Sequence, residues 1–346
     1  MHTRALLLVA AGIASLATAV ITPTAAPAPR ARRGPKPIKL KLPPAKALPA
    51  GTVKITLPKF NTKPDQTLVA TDDAVWTARG PFRIAKENNA VTGPFAHGRL
   101  QDIGVGFGSV WVSDFYTDTV RRLDEETGAL QALIHIKPNS GPEGIAIANG
   151  SVWVANHYAG TVSRIDPAKN RVVRSVRVSY TGRGGAQEIA AGLGSLWVGV
   201  GNKQAVVRID PRKNKVVATI KLPRSVTPCG GIAVSAAAVW VTGCIELKTV
   251  ARIDPRTNTV SSILDVGGVT DQPAADGNTV WLVASGNPYD SPTLTGYLLR
   301  LRANDTVATR YRIGKGVITG GATVALGAIW VADFDHRRVL RIPEQR

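Results

Sequence analysis

The chain has 346 residues, a formal net charge of +19 and a hydrophobic fraction of 44%. This apolar content is sufficient for a folded core and excludes a chain that is disordered throughout. With 34 Gly, 23 Pro and no long helical periodicity, the composition favours an all-β fold rich in turns. The length allows one large domain or two ordinary ones.

The first nineteen residues have the character of an export signal. Arg4 supplies a short positive segment, residues 5–16 are apolar, and Ala17-Thr18-Ala19 offers small residues for cleavage. The alternative is a retained membrane anchor, because the apolar run of about 17 residues is at the lower limit for a spanning helix. We predict a cleaved signal peptide over residues 1–19 and therefore a secreted or otherwise extracytoplasmic protein.

Residues 20–50 are rich in Pro, Ala and Lys/Arg and contain no acidic residue. This composition predicts an extended, partly polyproline-like basic linker that buries no core. For an exported protein, the positive charge favours an anionic envelope polymer or a membrane surface as partner, and not nucleic acid. A basic surface that serves only solubility is the alternative.

All seven Trp residues occupy one position of a repeated unit, and they are Trp76, Trp111, Trp153, Trp197, Trp240, Trp281 and Trp330. The unit of about 42 residues contains four short stretches of alternating apolar residues separated by turns, as expected for four strands. Units of this kind are typical of propeller blades. We therefore predict an all-β, seven-bladed β-propeller with four-stranded antiparallel blades over residues 51–346.

The two ends of the repeat region complete each other. The last unit stops after its third strand, whereas "GTVKITLPK" precedes the first Trp and matches "NKVVATIKLPR", the fourth strand of blade 4. We predict that an N-terminal strand over residues 51–58 joins the last blade and closes the ring, which removes a free sheet edge.

The segments "GPEGIAIANGSVWVAN" and "TVSRIDPAKNRVV", with their copies, resemble the YVTN-type and NHL-type propeller repeats, including relatives of the streptogramin lyases. The resemblance extends over residues 51–346 and implies a seven-bladed propeller. It does not imply one activity, because propellers have many functions.

Features that recur in the blades are assigned to the fold. The Trp side chains are predicted to pack between blades. The repeated Arg-Ile-Asp-Pro segments are interpreted as hairpin closures in which Asp accepts turn amides. Their residues are Arg164, Arg208, Arg252, Asp166, Asp210 and Asp254.

Features that differ between blades are candidates for a site. First strands begin and second strands end at the same end of a propeller, around the mouth of the central channel. Polar and aromatic residues that converge there define a candidate ligand site, and an ordinary solvated mouth is the alternative. The candidates are Arg79, Asp114, Phe115, Tyr116, Glu143, Asn156, His157, Tyr158, Asp333, Phe334 and His336.

The opposite face carries the turns between third and fourth strands. These turns contain Lys169, Arg171, Arg212, Lys213 and Lys215, which extend the predicted surface for anionic partners.

Enzymatic alternatives require a divalent cation, Mg²⁺ or Ca²⁺, and the candidate metal ligands are Glu143, Asp114, Asp333 and Asp271. The resemblance implies, for a streptogramin lyase, an elimination with magnesium and a catalytic His in a Pro-His-Gly-Ile segment. The matching segment here is Pro142-Glu143-Gly144-Ile145, so Glu replaces His. A lactonase-like hydrolase is the other enzymatic alternative. We favour a monomeric binding module, with a small ligand or peptide at the channel mouth.

Cys229 and Cys244 are the only cysteines, and they flank the first hairpin of blade 5. They lie equally far from the turn, so they are predicted to face each other and to form a disulfide after export. Two free thiols are the alternative.

Overall fold

In the computed structural model, the described residues are 35–59, 67–243, 247–285, 295–302, 305–315, 320–333 and 336–344. This part of the chain forms β-strands and a short 3-10 helix at Gly201–Lys203, and it contains no α-helix. Over the same ranges, no helix has the length and apolar character needed to cross a membrane. The all-β prediction is confirmed, and the predicted signal peptide lies outside the described residues.

The strands form seven sheets, the blades of a propeller, preceded in the chain by β1 (Ile38–Lys39) and β2 (Val53–Thr56). Blade 1 has β3 (Leu68–Ala70), β4 (Ala74–Thr77), β5 (Arg83–Ala85) and β6 (Val91–Thr92). Blade 2 has β7 (Leu100–Val105), β8 (Ser109–Asp114), β9 (Thr119–Asp124) and β10 (Leu130–His135). Blade 3 has β11 (Pro142–Ala148), β12 (Ser151–Asn156), β13 (Thr161–Asp166) and β14 (Arg171–Arg177).

Blade 4 has β15 (Ala186–Gly192), β16 (Ser195–Val200), β17 (Ala205–Asp210) and β18 (Lys215–Lys221). Blade 5 has β19 (Pro228–Val234), β20 (Val239–Gly243), β21 (Thr249–Asp254) and β22 (Thr259–Asp265). Blade 6 has β23 (Val269–Thr270), β24 (Ala274–Asp276), β25 (Thr279–Ser285), β26 (Thr295–Arg302) and β27 (Thr309–Lys315). Blade 7 has β28 (Ala322–Ala325), β29 (Ala328–Asp333) and β30 (Arg338–Pro343).

The N-terminal strand β2 is the fourth strand of blade 7. It pairs antiparallel with β30, with Val53 opposite Arg341. Ile55 and Leu57 are buried in the core that blade 7 shares with blade 1. The prediction that residues 51–58 close the ring is therefore confirmed.

The Trp side chains pack between blades, as predicted. Trp153 lies in one core cluster with Leu196 and Val198 of blade 4, so its indole belongs to the interface and not to the channel. Its indole N–H donates to the carbonyl oxygen of Ala148 at 3.1 Å. Because this polar atom is satisfied within its own blade, burial of the ring is favourable.

The recurring arginine connects neighbouring blades, which the sequence did not predict. The guanidinium carbon of Arg208 lies 4.7 Å from the ring centroid of Trp197, and its Nε donates to Ser195 Oγ at 2.8 Å. Its Nη1 crosses to blade 5, where it donates to Pro255 O at 2.7 Å and to Asn258 Oδ1 at 3.0 Å. The sequence assigned only the neighbouring aspartate to hairpin closure, and the arginine adds a contact that reaches beyond its own hairpin.

The same contact recurs around the ring, including the junction between blades 7 and 1. Its members are Arg122 to Pro167 O and Asn170 Oδ1, Arg164 to Asn214 Oδ1, and Arg341 to Lys86 O and Asn89 Oδ1. The acceptor asparagines have φ between 48° and 59°, a left-handed conformation that Asn tolerates better than most residues. Asn therefore suits this turn position for two reasons: it tolerates the left-handed backbone, and its amide oxygen accepts a hydrogen bond from the arginine.

Replacing Arg208 by Met should lower the free energy of unfolding by about 2–3 kcal/mol, because charged hydrogen bonds and a cation–π contact are lost. Urea unfolding measures this change. Arg212→Met, on the exposed adjacent turn, is the matched control and should stay within about 0.5 kcal/mol of the wild type. Equal effects at both positions would contradict the role of Arg208 between blades.

The aspartates close their turns as predicted. Asp210 Oδ1 accepts hydrogen bonds from the backbone amides of Arg212 at 2.9 Å and Lys213 at 3.1 Å. The Lys213 amide is the main cause that holds the pKa of Asp210 below its ordinary value. Equivalent bonds run from the amide of Ala168 to Asp166 and from that of Arg256 to Asp254.

Residues 38–48, predicted as part of the linker, run along the outer edges of blades 5 and 6, and we call them the rim strap. β1 pairs in parallel with β22, which makes blade 5 five-stranded. Isolated bridges then join Lys41 to Val307 and Lys46 to Tyr311 in blade 6. The segment is extended, as predicted, but it is bound to the ring.

The rim strap also contributes to the core. Leu40 is 3% exposed and packs in the cluster of blades 5 and 6 with Leu264 and Val266. The expectation that residues 20–50 bury no core is therefore wrong for Leu40. In "IKLKL" (residues 38–42) the apolar residues alternate, so an extended backbone places Leu40 and Leu42 on one side, and both contact that cluster.

Cys229 lies in β19, next to Pro228, which is paired with Gly243 of β20. Cys244 lies outside the described residues, so the disulfide between Cys229 and Cys244 stays a prediction.

Candidate functional site

The first strand of blade 3 begins beside the end of the second, at the end of the propeller that we call the top face. Pro142 is paired with Asn156, and the ladder then resumes with Ile145 opposite Val154. This irregularity leaves Glu143 outside the ladder, where a bulge turns its side chain away from the regular pleat. Glu143 thus lies beside the loop that follows Asn156, as the strand order predicts.

Glu143 is held by His157 of that loop. Its Oε2 is 2.7 Å from His157 Nδ1, and the backbone amide of Gly184 donates to His157 Nε2 at 2.9 Å. Because Nε2 accepts this bond, the ring proton is on Nδ1 and is donated to the carboxylate. Both ring nitrogens are engaged, so His157 positions Glu143 and is not a free base.

Aromatic rings surround this pair. The ring centroid of Phe115 is 5.6 Å from that of His157 and 5.1 Å from that of Tyr158, and Tyr116 packs on Phe115 at 5.1 Å. All of these contacts are edge-on, an arrangement that is favourable for aromatic pairs. We call Glu143, His157, Phe115, Tyr116 and Tyr158 the top cluster. The structure brings these five predicted site residues together.

Two residues that support the rings were missed at the sequence level. Arg99 lies 4.7 Å above the ring of Tyr116 and donates to its hydroxyl at 2.9 Å. Gly141 has φ +60°, and a Cβ there would lie 2.9 Å from Tyr158 Cδ2 and 3.1 Å from Phe115 Cε2. Only glycine fits this backbone and this spacing.

Gly184 was also missed, although a signal was present. The segment "TGRGG" (residues 181–185) has no copy in the other blades, and it supplies the amide that fixes the His157 ring. The rule that residues not repeated between blades form the site would have identified Gly184 if it had been applied to glycines.

Three predicted site residues brace their own hairpins. Asp114 accepts from Arg121 Nη2 at 3.1 Å, and Asn156 Nδ2 donates to Thr161 Oγ1 at 3.0 Å. Asp333 accepts from Arg338 Nε at 2.6 Å. Asp114, Asn156 and Asp333 are all buried, so none faces solvent at the channel mouth.

The remaining candidates are dispersed. Arg79 donates to Leu100 O at 3.3 Å and Gln101 Oε1 at 3.2 Å, where blade 1 meets blade 2. His336 is bound to the carboxylate of Asp333 at 2.9 Å. Phe334 lies outside the described residues.

The candidate metal ligands are not gathered by the described part of the chain. Within it, no three His, Cys, Asp or Glu side chains, including those of Glu143, Asp114, Asp333 and Asp271, form a group that could hold a metal ion. Glu143 lies in the top cluster with His157, whereas Asp114 and Asp333 are each paired with an arginine.

The fold is similar to that of the streptogramin lyases. A streptogramin B lyase is 16% identical, covering 84% of this chain and 96% of its own, with a TM-score of 0.68. Virginiamycin B lyase from Staphylococcus aureus is 18% identical, covering 85% and 99%, with a TM-score of 0.69.

Propellers of another family are equally similar in shape. The WD40 repeats of RRP9 are 10% identical, covering 87% of this chain and 99% of theirs, with a TM-score of 0.69. No protein-family model matches the sequence, and no curated protein matches it either. At these identities the similarity establishes the propeller fold, and the expected resemblance to streptogramin lyase propellers is confirmed at that level.

Proposed function

We propose that the protein is a binding module that takes a small ligand or a peptide at the top cluster. The observation that carries the proposal is the carboxylate of Glu143, held at 2.7 Å by His157, whose ring packs against Phe115 and Tyr158. Aromatic and polar groups of this kind, positioned before a ligand arrives, are characteristic of binding sites.

The chemistry of the top cluster favours a ligand group that carries N–H donors or a positive charge. Within the described residues, Glu143 Oε1 has no hydrogen-bond partner, and the Glu143 side chain is 22% exposed. A cation at Glu143 would lie beside His157, which packs against Phe115 and Tyr158, and aromatic side chains attract cations.

The top cluster does not favour the enzymatic alternatives. In a streptogramin-lyase-like mechanism, a His would occupy the place of Glu143, and the nearby His157 has both ring nitrogens engaged. A lactonase-like hydrolase needs several metal ligands that converge, and the described residues bring no such group together.

The test uses capped tripeptides with a central lysine, arginine, glutamine or glutamate, titrated calorimetrically. We expect the cationic peptides to bind most tightly. Glu143→Gln should weaken their binding roughly tenfold or more, because a charge-assisted hydrogen bond is lost. Gln187→Ala, at the equivalent position of blade 4, should leave binding unchanged. If no peptide binds, or if Glu143→Gln binds as tightly as the wild type, this proposal is wrong.

We also propose an extracytoplasmic location and contact with an anionic polymer or membrane through the basic turns. The predicted export signal at residues 1–19 and the turn residues Lys169 and Lys213 support it. Blade 2 carries acidic residues at the corresponding turn, where burial and then neighbouring carboxylates raise the pKa of Glu125. Contact should therefore be confined to blades 3–5, where the turns are basic.

A further inference from the structure

A second concave site lies between blades 2 and 3, and we call it the side pocket. It has a volume of about 510 Å³, within the range of small-molecule sites. One wall is the loop at residues 137–140, and the other is the face of β13 and β14 that carries Ser163 and Ser175. Tyr158 lines it, whereas Glu143 does not, so the side pocket is separate from the carboxylate of the top cluster.

The side pocket exists because blade 3 has small hydroxyl side chains where other blades have larger or apolar ones. Ser163 is paired with Ser175 across β13 and β14. The equivalent cross-strand pairs are Val207 with Thr219 in blade 4 and Ala251 with Ile263 in blade 5. A polar pair that the other blades do not repeat is not needed for the propeller itself.

A buried amide directs these hydroxyls. Asn156 is 1% exposed, and its Nδ2 donates to Thr161 Oγ1 at 3.0 Å and to Ser163 Oγ at 2.9 Å. Both hydroxyls, which line the side pocket, accept from Asn156 and therefore keep their protons for another acceptor. The position of Asn156 is taken by Val200 in blade 4 and by Gly243 in blade 5.

The lining also contains one aromatic ring and two cationic side chains. The ring of Tyr158 is fixed by Phe115 and His157, at centroid distances of 5.1 Å and 5.0 Å. Lys137 and Arg177 line the side pocket, and Arg177 Nη1 is oriented by the carbonyl oxygen of Ala159 at 3.2 Å. None of the described lining residues is acidic.

The wall of the side pocket is held in place before any ligand arrives. Asp118 Oδ1 accepts the amides of Ser140 at 2.9 Å and Gly141 at 2.8 Å, and its Oδ2 accepts that of Asn139 at 2.7 Å. Three backbone bonds to one carboxylate fix this loop, which lowers the ordering cost of binding.

We propose that the side pocket binds a sugar that carries a negative charge. The hydroxyl donors of Thr161 and Ser163 would meet sugar oxygens, and Tyr158 offers a flat apolar surface to the C–H face of a sugar ring. Lys137 and Arg177 match a carboxylate or a phosphate on that sugar. The two anions present the same chemistry to these cations, so the experiment separates them.

The experiment titrates the purified full chain with trigalacturonate, galactose 6-phosphate and uncharged cellotriose. We expect at least one charged sugar to bind, more weakly as salt is raised, and cellotriose to bind at least tenfold more weakly. Binding of trigalacturonate alone assigns a carboxylate, and binding of the phosphate alone assigns a phosphate. If neither charged sugar binds, or if cellotriose binds as tightly, the proposal is overturned.

Variants locate the binding. Ser175 lies on the exposed strand β14, and Ser175→Val narrows the side pocket. It should weaken binding of the charged sugar at least tenfold, whereas Thr219→Val, the equivalent change in blade 4, should leave that binding unchanged. Unchanged binding in Ser175→Val overturns the location, provided that both variants unfold cooperatively like the wild type. The tripeptides and the charged sugars are separate probes, so failure of the top cluster as a peptide site is distinguishable from failure of the side pocket.

Discussion

A chain that begins at Thr67 should not fold into a stable propeller, because it lacks both the rim strap and β2. Blade 7 would then expose the edge of β30, and the core around Trp330 would lose Ile55 and Leu57. We expect aggregation or a loss of cooperative unfolding, measured by gel filtration and by circular dichroism in urea. A chain that begins at residue 35 is the control and should behave as the intact protein does.

A single substitution in β2 also tests ring closure, in a chain that still folds. Ile55→Ala should lower the free energy of unfolding by about 2–5 kcal/mol, as large-to-small changes in a core do. Val53→Ala lies in the same strand but is 38% exposed, so its effect should be much smaller. A stable, monomeric chain beginning at Thr67, or equal effects of the two substitutions, would refute ring closure by β2.

The second large effect is expected in the rim strap. Leu40→Ala should cost about 2–5 kcal/mol of unfolding free energy, because it leaves a cavity among buried residues of blades 5 and 6. Ile38→Ala is the matched control, since Ile38 lies two residues away in the same segment and is 45% exposed. Denaturant unfolding of both variants measures the difference.

The stability of these two variants distinguishes a flexible linker from a segment that is part of the folded ring. If residues 38–48 only tethered the propeller to an export signal, neither substitution would change its stability. If the segment is part of the ring, Leu40→Ala alone should shift the unfolding midpoint. A chain beginning at Gly51 should then show a loss of stability similar to that of Leu40→Ala or larger, since it also lacks the backbone bonds to Asp265 and Arg310.

Part of the candidate site could be predicted from the sequence. The strand order placed Glu143 near His157, and the structure joins them at 2.7 Å. The same rule placed Asp114 and Asp333 at the channel mouth, where the structure instead buries them against Arg121 and Arg338. A sequence position shows at which end of a strand a residue lies, but not where its side chain points. In the structure each of these two carboxylates is paired with an arginine of the same blade.

Contacts between distant segments could not be predicted in this way. Gly184, in the segment that connects blades 3 and 4, contributes an amide to His157, and Arg99 contacts Tyr116, 17 positions further along the chain. Neither residue belongs to a repeated motif that would mark it. The Gly184 contact depends on the path of the connection between blades 3 and 4, whereas Arg99 and Tyr116 lie at the two ends of the first hairpin of blade 2.

The sequence by itself determined the seven blades, their strand order and the closure by residues 51–58. These features depend on local alternation of apolar residues and on a Trp that recurs in each unit, and both are visible in short windows. Tertiary structure alone decided that Arg208 connects two blades, that Leu40 is buried and that Ser163 lines a pocket. The physical reason is that each of these roles depends on a partner in another segment, and ring geometry, not the local pattern, selects that partner.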